Sequence, residues 1–109
     1  MNETKSKVRL EETGAYDEWY ATITDKMTRY RIEARLARAR QGNFGDCVHI
    51  GNGVYELRLD FGPGWRIYIS QERPAFWWLL CGGNKKTQSD DVILAKAVKK
   101  QMEESHERS

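Results

Sequence analysis

Histidine and cysteine are scarce in this chain, two of each among 109 residues, and that scarcity removes whole classes of chemistry. Cys47 and Cys81 make neither a disulfide framework nor a metal-ligand cluster, so reduced, packed thiols in a cytosolic protein are expected. No Cys/His spacing suits zinc, and no metal site is expected. His106 falls in the tail, and His49 alternates with Val48 and Ile50 as an exposed strand residue would. No Ser/His/Asp grouping suggests itself. Gly82-Gly83-Asn84-Lys85-Lys86-Thr87 has glycines and lysines after a strand, but not at the spacing of a nucleotide-binding P-loop. The longest apolar run, Ala75 to Cys81, is far too short to span a membrane. No basic-then-apolar segment opens the chain, so export is not expected and the cytoplasm is.

What remains is an ordinary soluble composition, 31% charged and 39% hydrophobic, in a length that suits one domain. The expected domain covers residues 8–104, with flexible tails at 1–7 and 105–109. Charge is unevenly placed. Residues 29–100 carry 13 Lys and Arg against 7 Asp and Glu, whereas both ends are acidic. A basic centre suits a polyanion or an acidic protein partner.

Val54 to Ser70 is the most informative stretch. Two runs alternating between apolar and polar residues flank Gly62-Pro63-Gly64, the pattern of a β-hairpin with one covered face. Pro63 and Gly64 fit the two central positions of a type II turn. That register sets Phe61 opposite Trp65, Leu59 opposite Ile67 and Leu57 opposite Ile69 on the core side. On the other side Glu56, Arg58 and Asp60 then face Ser70, Tyr68 and Arg66.

Upstream, Val8 and Leu10 begin a short strand, and Thr13 can cap a helix whose stripe is Trp19, Ile23 and Met27. Asp25 or Thr28 marks the break before a second helix, roughly Thr28 to Gln41, with Ile32, Leu36 and Ala39 inward and Gly42 as its stop. Cys47 to Gly51 is a short strand. Ala75 to Cys81 is apolar on both sides and reads as an inner strand. Ser89 caps a last helix with Asp90 and Asp91 in its first turn and Leu94, Val98 and Met102 in its stripe. The order is read as β-α-α-β-β-β-α. This is an α+β fold in which four strands make one twisted, mostly antiparallel sheet, with helices packed on one face and the other at least partly open.

On that open face Arg58, Arg66 and Tyr68 would meet Lys85, Lys86 and Gln88 from the loop after the apolar strand. Guanidinium forks match phosphate oxygens, an ammonium adds a point charge, and aromatic rings offer bases a stacking face. Arg31, Arg35 and Arg38 share one face of the second helix and could hold ribose-phosphate backbone. The competing explanation is plain pairing: Arg66 with Asp60, Arg58 with Glu56 or Glu72, and a solvated helix face. The residues alone leave both open.

Three runs carry a resemblance. Asn43-Phe44-Gly45-Asp46, Gly53 through Tyr68 and Leu79 through Gln88 resemble the addiction-module killer proteins, a branch of the RelE/ParE toxin superfamily close to HigB-type toxins. The likeness covers about Val8 to Glu104. It implies a RelE/ParE-like fold and the toxin of a bacterial type II module, held by a cognate helix-turn-helix antitoxin. It further implies a metal-independent endoribonuclease, an mRNA interferase that cuts mRNA on the ribosome by 2′-hydroxyl attack and inhibits translation without any cofactor. Carried over by position, Arg58 and Arg66 would grip the scissile phosphate, and Lys85 would stabilise the transition state or act as acid. Tyr68 would stack on or orient a base. Lys86, Gln88, Arg31, Arg35 and Arg38, from the charge layout and not from the resemblance, complete the expected RNA-binding set. No histidine, aspartate or C-terminal tyrosine can be placed as acid or base, with Gln88 and Glu56 poor substitutes. The same superfamily contains ParE-type inhibitors of DNA gyrase, so a non-catalytic inhibitor or an inactive antitoxin-binding homologue stays open.

Overall fold

The computed structural model describes residues 7–108, so the expected tail at 1–7 lies outside the described residues except for Lys7. The elements are β1 (Arg9–Glu12), α1 (Gly14–Ala21), α2 (Lys26–Arg40), β2 (Cys47–His49), β3 (Val54–Arg58), β4 (Arg66–Arg73), β5 (Phe76–Gly83) and α3 (Gln88–Arg108). One sheet runs β1-β5-β4-β3-β2. β1 is parallel to β5 and every other pairing is antiparallel. Five strands are present where the expected order counts four: the short strand expected from Cys47 to Gly51 forms over Cys47–His49 and joins the sheet as an edge strand on β3. β5 lies between β1 and β4, as its two apolar faces require.

Helix ends follow their caps. Thr13 Oγ1 accepts from the Tyr16 N–H, and Asp25 from the Thr28 N–H, so α2 begins two residues before its expected start. α1 stops at Ala21, which places Ile23 in the connection, still buried, and leaves Met27 exposed on α2 instead of in a common stripe. α3 begins at Gln88, so Ser89 lies within its first turn, and it continues to Arg108, beyond the domain end expected at 104.

Helices cover both faces of the sheet, which corrects the expectation of one covered and one open face. Tyr16 of α1 and Ile32, Leu36 and Ala39 of α2 pack with Leu57, Ile67, Ile69 and Leu79. Ala95 and Val98 of α3 pack with Val54, Tyr68 and Leu80 on the opposite side. The reason is arithmetic of surface: β5 has apolar side chains on both sides, α1 and α2 fill one, and α3 buries Ala95 and Val98 against the other, while Leu94, expected in that stripe, is exposed. Gly82 and Gly83 permit the close approach at the end of β5. A Cβ on Gly82 would sit 2.5 Å from the Trp19 ring, and one on Gly83 would sit 1.7 Å from Asp91 Oδ2.

The hairpin keeps the expected faces but not the expected register. Leu57 pairs with Ile67, Glu56 with Tyr68 and Arg58 with Arg66, a slip of two residues that preserves which side each residue faces. The cause lies in the loop. The Gly64 N–H closes a turn onto the Phe61 carbonyl at 3.1 Å, with Gly62 at φ 57°. Gly62, not Pro63, takes the first central position, and Leu59 then pairs across to Trp65.

Candidate functional site

The register change brings Arg58 and Arg66 directly opposite each other. Two like charges in that position repel. The sequence places the compensation two residues back on the same face, at Glu56, whose side chain is fully buried. Its Oε1 accepts from Arg58 Nε at 3.0 Å, and its Oε2 accepts from Tyr68 Oη at 2.9 Å and Gln88 Nε2 at 2.7 Å. Arg66 Nε lies 3.9 Å from Oε1, near enough for charge attraction but too far for a hydrogen bond. Burial works to raise the Glu56 pKa; the donors Arg58, Gln88 and Tyr68 outweigh it and hold the carboxyl below its ordinary range. Glu56 therefore stays ionised and makes a poor proton acceptor.

The arginine pair opens on one side. Arg58 keeps 41% of its side chain in solvent, while Arg66 keeps 12%. Arg58 uses only Nε within the protein, no bond to its terminal nitrogens being present among the described residues. Arg58, Arg66 and the exposed Lys85 line one cleft of about 320 Å³ with Asp46, Asp60 and Gly64. Lys85 is placed there by its loop: its N–H reaches the Pro63 carbonyl at 3.3 Å, and Asn84 Oδ1 accepts from the Lys86 and Thr87 N–H groups. The first turn of α3 follows, and its Gln88 donates to Glu56 beneath the arginines. Three cations from three separate stretches thus converge.

Other expected residues do different work. Tyr68 is fully buried and bonded to Glu56, so its ring is not presented to any base; burial first, then the Glu56 carboxylate, push its pKa up. Gln88 also spends its amide on Glu56. Both belong to the support of the arginines, a correction that follows from α3 covering this face. Lys86 is exposed but does not line the cleft. Arg35 is buried, and its guanidinium donates to the carbonyls of Arg58, Phe44 (2.8 Å) and Asp46 (2.9 Å). It bolts α2 to the end of β3 with both terminal nitrogens engaged, and it forms part of the wall of the cleft that Arg31 and Arg38 line; desolvation lowers its pKa. Arg31 and Arg38 are exposed and line a second cleft, of about 240 Å³, with Phe61 and Asp60. Trp65 faces the core against Trp19, as the alternation predicts.

Asp46 is a cleft carboxylate that sequence reasoning passed over; Glu56 is expected only as a pairing partner of Arg58, which it is, and Asp60 only as one of Arg66, neither as hub or cleft wall. Glu56 had a signal: an acidic residue on the covered-strand pattern of β3, in phase with Arg58 and two residues from it. Among the described residues no group of three or more His, Cys, Asp and Glu side chains is placed to hold a metal ion. No described helix is long and apolar enough to cross a membrane.

The chain is similar to an uncharacterized protein of Haemophilus influenzae, 34% identical over 95 residues that span 87% of this chain and 96% of the relative. No family model matches it, and no solved structure does.

Proposed function

We propose that this chain, which belongs to the same family as the Haemophilus influenzae protein, is the toxin of a bacterial type II toxin–antitoxin module with a RelE/ParE-like fold. Its activity is endoribonucleolytic, directed at messenger RNA on the ribosome in the cytoplasm. The observation that carries this reading is the convergence of Arg58, Arg66 and Lys85 on one cleft.

The chemistry follows from what those groups can do. A ribose 2′-hydroxyl attacks the adjacent phosphorus, the bond to the 5′-oxygen breaks, and a 2′,3′-cyclic phosphate and a 5′-hydroxyl result. Arg58 binds the non-bridging oxygens through its free terminal nitrogens, and Arg66, largely buried, adds charge behind it. Lys85 neutralises the leaving oxygen or gives it a proton. The 2′-hydroxyl proton goes to a carboxylate of the cleft wall, Asp46 or Asp60, since Glu56 is held ionised beneath. A helix-turn-helix antitoxin covers the basic surface until the module is released.

Primer extension on cellular transcripts after induction tests the reading. New ends inside codons are expected with the wild-type chain and none with Arg58→Ala or Lys85→Ala. An equally toxic double variant would refute the site. One observation favours a second reading: Glu56 already spends part of the charge of both arginines. That suits a non-catalytic, ParE-like inhibitor of DNA gyrase or an inactive antitoxin-binding homologue. Loss of supercoiling by purified gyrase, with transcripts intact, would establish the gyrase alternative.

A further inference from the structure

The cleft that holds Arg58, Arg66 and Lys85 is not isolated. Leu59 and Asp60 line both it and the second cleft, where Arg31 and Arg38 of α2 face Phe61 of the hairpin loop. The two hollows therefore adjoin around the end of β3, one on each side of Asp60. Their spacing is fixed by the buried Arg35, which donates to the carbonyl of Arg58, at the edge of the first cleft, and to that of Asp46. The guanidinium of Arg31 lies 5.0 Å from the centre of the Phe61 ring, which holds it at the rim of the second hollow. A row of cation, carboxylate, cation thereby runs from the strand pair across the β3–β4 loop to α2.

We infer that the Arg31/Arg38/Phe61 hollow is a second subsite for the same RNA strand, taking a phosphate next along the chain from the one bound by Arg58. The inference rests on the RNA-cutting function proposed above. Asp60 sets the register. A carboxylate at the junction repels a phosphate there, so phosphates settle on either side and the neutral nucleoside between them lies against Asp60, which can accept a hydrogen bond from a ribose hydroxyl or an exocyclic amine. Phe61 offers that nucleoside a ring edge or face. The ligand class is a single strand of at least two phosphates, not a free nucleotide.

The test uses fluorescence anisotropy with 2′-O-methyl oligonucleotides of one to six residues, which bind but lack the attacking hydroxyl. With the wild-type chain, affinity is expected to rise by about tenfold once a second phosphate is present, and the salt slope to steepen by about 0.7 for that phosphate. Arg31→Ala/Arg38→Ala is expected to lose both gains while binding the one-phosphate probe as before; both side chains are exposed, and an unchanged thermal melt shows that the fold is kept. Arg31→Lys/Arg38→Lys restores the salt slope. Asp60→Asn should tighten binding of the short probes and blur the length step.

Wild-type-like length dependence in the double variant would overturn the second subsite and leave the first cleft standing. Failure of the wild-type chain to bind any oligonucleotide would overturn both readings. Binding of a polyglutamate peptide, lost in the double variant while oligonucleotide binding is unchanged, would make the hollow a protein-docking face and refute the inference.

Discussion

Arg35 on α2 and Arg58 on β3 are both linked to the same short segment of chain, yet their fates are opposite. Arg35 gives its fork to three backbone carbonyls and vanishes from the surface. Arg58 gives one nitrogen to Glu56 and keeps its end in solvent. The difference lies in what each side chain meets. Three main-chain carbonyls engage both terminal nitrogens of Arg35 and hold its tip inside the protein. A buried carboxylate with two further donors holds the stem of an arginine in place and leaves the head for a ligand. The function proposed for this surface rests on the second arrangement, and Arg35 braces the end of β3 beside it.

Glu56→Ala should give the largest stability loss, about 3 kcal/mol in urea unfolding, toward the low end for a broken buried pair because Arg58 is partly solvated. It would also leave the opposed arginines uncompensated. A loss under about 1 kcal/mol would mean that Glu56 is not the hub. Arg35→Ala orphans three carbonyls and is expected to cost about 2–3 kcal/mol, with Arg35→Lys recovering only part of it. An equal cost for Arg35→Ala and Arg31→Ala would erase the contrast drawn here, since Arg31 is exposed and its loss should stay within about 0.5 kcal/mol. Acid sharpens the point. A carboxyl depressed in the folded state stabilises above its unfolded pKa and loses that contribution as pH falls through the folded value. The thermal midpoint should therefore drop below about pH 4.5, and Glu56→Gln should flatten this component of the drop. An identical acid limb in Glu56→Gln would contradict the network.

Much of this was legible in the sequence where local physics rules. Thr13 and Asp25 announced their helices, Ile32, Leu36 and Ala39 their inner stripe, and the alternation from Val54 the faces of the hairpin. The register slipped by two because alternation fixes faces but not pairing, and the loop chose Gly62 for the left-handed position. The covering of the second sheet face by α3 was hidden for another reason. Glu56 and Tyr68 look like surface residues, and only their mutual hydrogen bond, with Gln88 arriving from a distant helix, makes their burial tolerable. Arg35 could not be told from Arg31 and Arg38 by spacing, because the carbonyls that consume it come from other parts of the chain.

The chemistry of transcript ends tests the central claim most directly. Fragments recovered after induction of the wild-type chain should end in a 2′,3′-cyclic phosphate by mass spectrometry, opposite a 5′-hydroxyl. Lys85→Ala should fold normally and reduce their yield by about 10²–10³, the cost of one charge-stabilising donor. Growth arrest with intact transcripts, or cyclic-phosphate ends undiminished in Arg58→Ala/Lys85→Ala, would contradict the assignment of the cleft.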